Sequence, residues 1–395
     1  MSAVRFEELF CDNGMRLGLA TLDAPKTLNG LSLDICRALA DRLAMWAADP
    51  RVALVVLAGS GEKAFCAGGD LHSLYRSMRE HAGQDAWSNA YAREFFACEY
   101  RLDYAIHSYP KPVLCWGHGL VMGGGVGLMA GASHRVVCPS SRLAMPEVTI
   151  GLFPDVGGSW FLNRLPGKAG VFLALTGAQL DPADALFAGM ADYLLPSGAL
   201  PSVLETLARQ PWAGKPLASA SVSGQLAYAA RATNDGLLHQ ALQRAGAGPA
   251  PEPGPLRQHL YLINHLCSGA DLREIRAGIA GLERHDDPWL AGAAAALAGA
   301  APGSVRLAFA LQRHVRLMSL ADALRAEYVA ALACCAHGDF AEGIRALLVD
   351  KDKRPRWRPA TPEQADEAWV EPFLQAPWPR ERHPLADLGR NPFEQ

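Results

Sequence analysis

The sequence predicts an α/β protein with a parallel sheet that continues into an α-helical extension. Short apolar runs typical of buried strands alternate with glycine turns and helical periodicities in the first half of the chain. Beyond about residue 205 the sequence is dominated by Ala/Leu-rich helical patterns. The chain has 395 residues, half of them hydrophobic, which is enough for a substantial core. We therefore expect residues 1–205 to form the α/β core and residues 206–395 the helical extension.

Strands and helices alternate in the predicted core. Buried strands are expected at residues 16–22 (RLGLATL) and 52–58 (VALVVLA), and the apolar run from Pro112 to Val121 predicts another. The spacing of apolar residues predicts helices over residues 34–48, 71–79, 86–109 and 126–132. This order of strand, turn and helix favours parallel pairing of the strands.

The extension is predicted as a series of helices separated by proline and glycine. Helices are expected over residues 256–266, 288–298, 303–314 and 319–337. Asp287 followed by Pro288 is a typical helix start, because the carboxylate caps the first turn and proline is tolerated at its first position. The segment GAGPAPEPGP at residues 246–255 predicts a loop between two helical regions.

Composition argues against several classes of function. The net charge is -3 and there is no long acidic or basic block, so nucleic acid is not an expected partner. No apolar run approaches the roughly 18 residues of a membrane helix, and the N-terminal residues resemble neither a signal nor a transit peptide. The nine cysteines and the histidines lack metal-binding spacing. We expect a reduced, cytoplasmic protein that binds no metal and no membrane.

Two glycine turns, Gly68-Gly69 and Gly123-Gly124-Gly125, each follow a predicted strand and precede a predicted helix. Glycine lets the backbone approach a ligand closely, and amides at a helix N-terminus are left unpaired. The two turns together could present two N–H groups to one carbonyl oxygen and stabilise developing negative charge. Tight packing of helix on sheet is the alternative for each turn. Neither turn carries the GxGxxG pattern of dinucleotide-binding proteins.

Two carboxylates follow the glycine triplet in an apolar, proline-framed segment. They are Glu147 in AMPEV and Asp155 in LFPDV. Apolar surroundings desolvate a carboxylate and raise its pKa, which suits acid/base chemistry. The alternative is a structural role, either as a helix N-cap or in an ion pair with Arg142 or Arg164.

Two further motifs are not assigned a function. Gly167-Lys168 lacks the first glycine and the Ser/Thr of a phosphate-binding loop, so that interpretation is rejected. The basic run DKDKRPRWRP at residues 350–359 contains acids as well, which favours a solvated surface over a binding patch.

The chain resembles the crotonase (enoyl-CoA hydratase/isomerase) superfamily, and more closely its 3-hydroxyisobutyryl-CoA hydrolase family. The matching segments are PKTLNGLS, GEKAFCAGGDL, KPVLCWGHGLVMGGGVGL, AMPEVTIGLFPDVGG and AEGIRALLVDKDKRPRWRP. The pairing of MGGGVGL with IGLFPDVGG separates this family from ordinary hydratases. The resemblance implies a crotonase-like spiral of ββα turns over residues 1–205 and a helical extension that covers the acyl end of the substrate.

The resemblance also implies which residues contact an acyl-CoA thioester. The backbone amides of Gly69 and Gly124 would hold the thioester oxygen, with Glu147 and Asp155 as the catalytic carboxylates. The implied substrate-binding residues are Glu99, Lys26, Ala67, Gly68, Asp70, Leu71 and Gly123. Coenzyme A is part of this substrate, so no separate cofactor is expected. A homo-oligomer is possible, because members of the superfamily commonly assemble as trimers or dimers of trimers.

One departure from the hydratase pattern changes the expected chemistry. Hydratases use two glutamates, one at the position of Gly127 and one that matches Glu147, whereas Asp155 stands where hydratases typically carry glycine. The expected reaction is therefore hydrolysis of a short-chain 3-hydroxyacyl-CoA, most closely 3-hydroxyisobutyryl-CoA, as in valine catabolism. Glu147 would act as nucleophile or as general base, while Asp155 and Glu99 orient the 3-hydroxyl group or water. The alternatives are a hydratase/isomerase and a non-catalytic acyl-CoA-binding or RNA-associated scaffold.

Overall fold

Two sheets organise the first half of the chain in the computed structural model, which describes residues 3–214, 223–246, 251–390 and 393. The strands are β1 (Val4–Phe10), β2 (Arg16–Leu22), β3 (Val52–Gly59), β4 (Ala64–Cys66), β5 (Val113–Gly117), β6 (Leu120–Met122), β7 (His134–Val137), β8 (Arg142–Ala144) and β9 (Tyr193–Leu194). Six strands form one sheet in the order β1-β2-β3-β5-β7-β9, and β4, β6 and β8 form a smaller sheet in that order. β1 and β2 are antiparallel, and the other neighbouring strands in these ranges are parallel.

Helices fill most of the remaining chain. They are α1 (Leu33–Ala48), α2 (Leu71–Glu80), α3 (Ala90–His107), α4 (Gly124–Gly131), α5 (Gly158–Leu162), α6 (Ala169–Thr176), α7 (Pro182–Phe187), α8 (Leu200–Ala208), α9 (Ser223–Ala245), α10 (Pro255–Gln258), α11 (Leu260–Leu266), α12 (Leu272–Ala280), α13 (Pro288–Gly299), α14 (Pro302–His314), α15 (Leu320–His337), α16 (Asp339–Ile344) and α17 (Glu367–Val370). Short 3₁₀ helices span Pro25–Thr27, Glu147–Ile150, Glu371–Leu374 and Arg380–Arg382, and a π-helical turn spans Arg345–Val349. The predicted N-cap at Asp287 is confirmed, because its side chain accepts a hydrogen bond from the amide of Trp289.

The chain winds between the two sheets as a spiral. β3, β5 and β7 lie in the large sheet, and each is followed by a strand of the small sheet, namely β4, β6 and β8. Helices α2 and α3 then follow β4, α4 follows β6, and a 3₁₀ helix and α5 follow β8. Each turn of the spiral therefore adds one strand to each sheet before a helix. The predicted α/β class, the ββα spiral and the C-terminal helices are confirmed.

The prediction of one strand from Pro112 to Val121 was wrong. The chain forms β5 and β6 there, and these two strands lie in different sheets. The break follows His118, where Gly119 has a positive φ of 57°. A Cβ atom at this position would overlap the backbone of Lys63. Glycine is therefore needed where the chain passes from one sheet to the other.

Two helical regions differ from the prediction. The helix expected over residues 86–109 begins at Ala90, because the side chain of Asn89 caps it there. The region 256–266 is divided at His259 into α10 and α11. Residues 247–250 of the loop predicted over 246–255 lie outside the described residues.

The large sheet is covered by apolar residues on both faces. In β3, Val55 and Leu57 belong to the main core together with α1, whereas Leu54 and Val56 face a second layer with leucines of α8 and α9. The main core continues from the spiral into the C-terminal helices without interruption. The domain boundary expected near residue 205 falls inside α8 and stays a prediction.

The cysteines and the helices bear on the classes considered from composition. All nine cysteines are free thiols and eight of them are buried. Within the described ranges, no three His, Cys, Asp or Glu side chains are arranged to hold a metal ion. In the same ranges no single helix has the length and apolar character to cross a bilayer. Only when α13 and α14 are taken together are length and composition sufficient, and these two helices are bent by 110° relative to each other.

Two glycines on helices give a paired prediction about stability. A Cβ atom at Gly125 in α4 would overlap the carbonyl oxygen of Cys66, whereas Gly292 in α13 has open space around this position. We expect Gly125→Ala to lower the free energy of unfolding by about 2 kcal/mol through overpacking. Gly292→Ala should raise it by about 0.5–1 kcal/mol, because alanine is the better helix former. Urea unfolding measures both, and equal stability of the two variants would contradict this packing.

Candidate active site

The small sheet brings the predicted site residues together. Its three parallel strands β4, β6 and β8 end next to one another, and the chain that leaves them carries Gly68-Gly69, Gly123-Gly124 and Glu147. The carboxyl ends of parallel strands share one edge of a sheet, which is where open α/β sheets bind ligands. A Cβ atom on Gly123 would lie 3.6 Å from the Cα of Gly68 and 2.8 Å from Oε1 of Glu147. The two glycine turns and Glu147 are therefore in contact.

The amides of Gly69 and Gly124 are available to a ligand. Within the described part of the chain, neither amide donates a hydrogen bond to a protein acceptor. Flanking groups of the first turn are paired: the amide of Leu31 donates to the carbonyl of Gly68 at 2.8 Å, and the amide of Asp70 donates to the carbonyl of Leu31 at 2.8 Å. Buried amides normally have partners. Two unpaired N–H groups thus stand at adjacent turns, and two such donors together can bind a carbonyl oxygen.

Glu147 is a buried carboxylate that has no cation beside it among the residues that the structure describes. The residue opens the 3₁₀ helix that follows β8 and is 5% exposed. Its Oε2 has no hydrogen-bond partner in the described residues, while Oε1 faces Gly123. Burial, together with the charge of Asp155, raises the pKa of Glu147 well above its usual range. An unpaired buried oxygen of this kind is free to act on a bound substrate or water.

Asp155 is held by a tyrosine on α3. The hydroxyl of Tyr100 donates a hydrogen bond of 2.8 Å to Oδ2 of Asp155, and both side chains are buried. Burial raises the pKa of Asp155 to about 7, although the bond from Tyr100 lowers it. A carboxyl group with a pKa near neutrality can take up and release a proton in the working range of an enzyme.

The ion pairs considered as an alternative for these carboxylates were wrong. Arg142 donates to the carbonyls of Pro139 and Ser141, and Arg164 lies over the ring of Trp160. In the described ranges neither arginine forms an ion pair with Glu147 or Asp155. Neither carboxylate is a helix N-cap. Pro146 is the N-cap of the 3₁₀ helix that Glu147 opens, and Gly157 is the N-cap of α5.

Helix α3 places two more carboxylates against α4. A Cβ atom on Gly124 would lie 2.5 Å from Oε1 of Glu99, and one on Gly127 would lie 3.1 Å from Oδ1 of Asp103. Burial, with the charge of Asp155, raises the pKa of Glu99 well above its usual range, and burial raises that of Asp103 likewise. Sequence analysis identified Glu99 and missed Asp103. The i, i+4 spacing of these two acids on the predicted helix was the available signal.

Gly127 has no room for a side chain. A Cβ atom there would lie 2.7 Å from the Cβ of Val156. Val156 has a positive φ of 53°, a left-handed conformation that costs a β-branched residue about 1–3 kcal/mol. The Asp155 turn is therefore strained, and its valine fills the space beside Gly127.

Helix α15 supplies a carboxylate that sequence analysis missed. Glu327 is fully buried, and it accepts hydrogen bonds from the amides of Gly157 at 2.7 Å and Ser159 at 2.9 Å and from the hydroxyl of Ser159. Burial raises the pKa of Glu327 to about 8, even though these donors lower it. An acid directly before the apolar run YVAALACCA was the signal in the sequence. It did not reveal the partner, Ser159, which is 168 positions away.

The residues expected along coenzyme A lie on two segments that are joined by hydrogen bonds. The amide of Ala67 donates to the carbonyl of Leu28 at 3.0 Å, beside the Leu31–Gly68 bond. Lys26 is exposed on the 3₁₀ helix just before this junction. The two segments thus form one continuous rim at the first glycine turn.

Asp70 and Leu71 sit where this rim meets α2. The carboxylate of Asp70 caps α2 by accepting from the amides of His72 and Ser73, both at 3.1 Å. Leu71 is half-buried at the first position of the helix. The side chain of Asp70 therefore has a structural role of its own, and substrate contacts by Lys26, Asp70 and Leu71 stay predictions.

Comparisons with known proteins show the family of this chain. Residues 17–374 match the family model described as enoyl-CoA hydratase/isomerase. A curated relative from Gallus gallus, named 3-hydroxyisobutyryl-CoA hydrolase, mitochondrial, is 36% identical over 354 residues, which are 90% of this chain and 85% of the relative. The protein of the same name from Homo sapiens is 34% identical over 361 residues, 91% of this chain and 86% of its own length.

Solved structures also match over nearly the whole chain. A crystal structure described as an enoyl-CoA hydratase from Rhodobacter sphaeroides 2.4.1 is 35% identical, with a TM-score of 0.76, and the match covers 94% of this chain and 97% of that one. A structure described as a carnitinyl-CoA dehydratase from Mycobacterium thermoresistibile is 34% identical, with a TM-score of 0.76 and 98% coverage of both chains.

The bond from Tyr100 to Asp155 gives a prediction about proton affinity. This bond favours the ionised carboxylate, so Tyr100→Phe should raise the pKa of Asp155 above its value of about 7. A lost hydrogen bond to a charged group corresponds to a shift of the titration midpoint by about one pH unit. The carboxyl ¹³C chemical shift of Asp155, followed across pH, measures it. Tyr104→Phe on the same helix is the control, and an equal or lower midpoint in Tyr100→Phe would refute the expected effect.

Proposed function

We propose that this chain, which belongs to the enoyl-CoA hydratase/isomerase family, hydrolyses the thioester of a short-chain 3-hydroxyacyl-CoA, most closely 3-hydroxyisobutyryl-CoA. The observation that carries the proposal is the arrangement at α4. A second catalytic carboxylate is supplied by Asp155, while Val156 occupies the space beside Gly127. Relatives about 35% identical over most of their length are named as hydrolases of this substrate.

The amides of Gly69 and Gly124 bind the thioester oxygen in this proposal. Both N–H groups are unpaired among the described residues and lie at adjacent turns. They polarise the carbonyl and stabilise the negative charge of the tetrahedral intermediate. Loss of one such donor typically slows an enzyme by about 10²–10³-fold.

Glu147 acts on the carbonyl carbon from beside Gly123. As a general base it would take a proton from water while the hydroxide adds to the carbonyl. As a nucleophile it would form a mixed anhydride that water then hydrolyses. In both routes the C–S bond breaks, the electron pair leaves with the sulfur of coenzyme A, and a carboxylic acid forms.

Asp155 and Glu99 orient the other end of the acyl group. Asp155 is fixed by Tyr100, and Glu99 faces Gly124 from α3. Both are buried acids with raised pKa values. Each can therefore donate a hydrogen bond to the 3-hydroxyl group or to water when it is protonated, and accept one from them when it is ionised. We propose that the rim formed by Lys26, Ala67 and the first glycine turn lies along coenzyme A. Homo-oligomer formation, the absence of a separate cofactor and a cytoplasmic location stay predictions.

A hydratase is the second candidate, because the two solved relatives are described as a hydratase and a dehydratase. Addition of water to a double bond in this family needs a second glutamate at the position of Gly127. A side chain there would meet Val156. The packing therefore favours attack on the thioester. A scaffold without catalysis has no use for buried carboxyl groups beside two unpaired amides.

The proposal predicts that Asp155 is needed for release of the thiol. Wild-type protein should release free thiol from 3-hydroxyisobutyryl-CoA, and Asp155→Asn and Glu147→Gln should each lose at least about 10²-fold in kcat/KM. Hydration of crotonyl-CoA is measured beside it. The matched control is Asp34→Asn, which changes an exposed aspartate of α1. Crotonyl-CoA hydration without thiol release, or full hydrolytic activity in Asp155→Asn, would reject the proposed reaction.

The same packing predicts that a glutamate at position 127 does not create a hydratase. Gly127→Glu should show no gain in crotonyl-CoA hydration, and its thiol release should fall at least about tenfold, because the new side chain displaces Val156 and with it the Asp155 turn. Gly292→Glu, with open space around the Cβ position, is the control. A rise in crotonyl-CoA hydration in Gly127→Glu would show that the site tolerates the second glutamate.

A further inference from the structure

Glu327 joins the C-terminal helices to the turn that carries Asp155. Its carboxylate comes from the middle of α15 and is fully buried. One oxygen accepts from the amide of Gly157 at 2.7 Å, and the other accepts from the amide and the hydroxyl of Ser159. Three donors thus converge on one side chain, and all of them lie within four residues of Asp155.

The turn needs an external support. Val156 and Gly157 have φ values of 53° and 84°, so two successive residues are in the left-handed region. A β-branched residue keeps such a conformation only where the surroundings enforce it. The amide of Gly157 donates its hydrogen bond to Glu327 of α15. In the described ranges it does not donate to a neighbouring backbone carbonyl. Leu320 of α15 also packs against Gly157.

Helix α15 is in turn fixed to the helix that holds the other side of Asp155. The hydroxyl of Tyr328 donates to the carbonyl of Arg93 on α3 at 3.2 Å. Tyr100 on that same helix donates to Oδ2 of Asp155. The Asp155 carboxylate is therefore positioned from two directions, through Tyr100 directly and through Glu327 by way of the backbone.

We propose that Glu327 is a positioning residue for the reaction, which sets the orientation of Asp155 by holding the turn from Asp155 to Ser159. It does not contact the substrate and acts through the backbone of Gly157 and Ser159. The C-terminal extension is by this inference a part of the catalytic apparatus and contributes more than a cover for the acyl end. The inference rests on the proposed function for its kinetic consequence, but the hydrogen bonds can be tested without turnover.

Glu327→Gln tests the kinetic consequence. The amide keeps the size of the side chain but replaces one accepting oxygen with a donor, so one of the contacts to Gly157 or Ser159 becomes a clash of donors. We expect kcat for thiol release from 3-hydroxyisobutyryl-CoA to fall by about 10–100-fold, with KM within about threefold of wild type, because orientation and not binding is lost. The control is Asp322→Asn, which changes a partly exposed acid on the first turn of α15.

Ser159→Ala provides a milder variant for the case in which Glu327→Gln does not fold. It removes one of the three donors and leaves both backbone amides. We expect a fall in kcat of about threefold to tenfold at unchanged KM. In the double variant the effects should not multiply, because both substitutions break the same contact. A kcat within twofold of wild type in folded Glu327→Gln, or in Ser159→Ala where Glu327→Gln does not fold, would overturn the proposal.

Hydrogen exchange separates this inference from the proposed function. In Glu327→Gln the amides of Gly157 and Ser159 should exchange at least about tenfold faster than in wild type. In Ser159→Ala this increase is expected only for the amide of residue 159. Peptides of α3 should exchange at the wild-type rate in both variants. If wild-type protein releases no thiol, the proposed function fails, and the exchange rates alone decide whether Glu327 holds the turn. Equal exchange rates in the variants and in wild type would reject the positioning role.

Discussion

The parallel alignment of three short strands is the constraint on which the site depends. β4, β6 and β8 run in the same direction in the small sheet, so the segments that leave them reach the same edge. Two of these segments are glycine turns with unpaired amides, and the third carries Glu147. The spiral brings separate parts of the sequence to that edge, because each turn contributes one strand to the small sheet and one segment that leaves it.

The site is built from acids that are buried without basic partners. Glu99, Asp103, Glu147, Asp155 and Glu327 are all nearly inaccessible to water, and within the described ranges none of them is paired with a lysine or arginine. Burial raises the pKa of each, so some of these groups hold protons at neutral pH. Neutral and ionised carboxyl groups thus stand side by side, which is a condition for proton transfer within one small volume.

Sequence analysis predicted the parts of the fold and site that depend on local patterns. The helical periodicities, the cap at Asp287, the glycine turns and the isolated carboxylates in apolar segments were all visible in short stretches of sequence. The break at Gly119 was missed because a short apolar run does not record which sheet each half joins. Glu327 was missed because its function depends on a contact with Ser159, and no local pattern encodes that pairing. The alternative of arginine partners for the two carboxylates was wrong because nearness in sequence does not predict which way the side chains of Arg142 and Arg164 point.

The contact between Gly127 and Val156 also constrains how such a site can change over evolutionary time. A glutamate side chain on α4 and a valine in the Asp155 turn compete for one space. The two positions are therefore coupled, because a side chain at position 127 must displace Val156 and with it the Asp155 turn. Each of the two chemistries thus requires its own packing of α4 against this turn, and a change at one position alone disturbs the other.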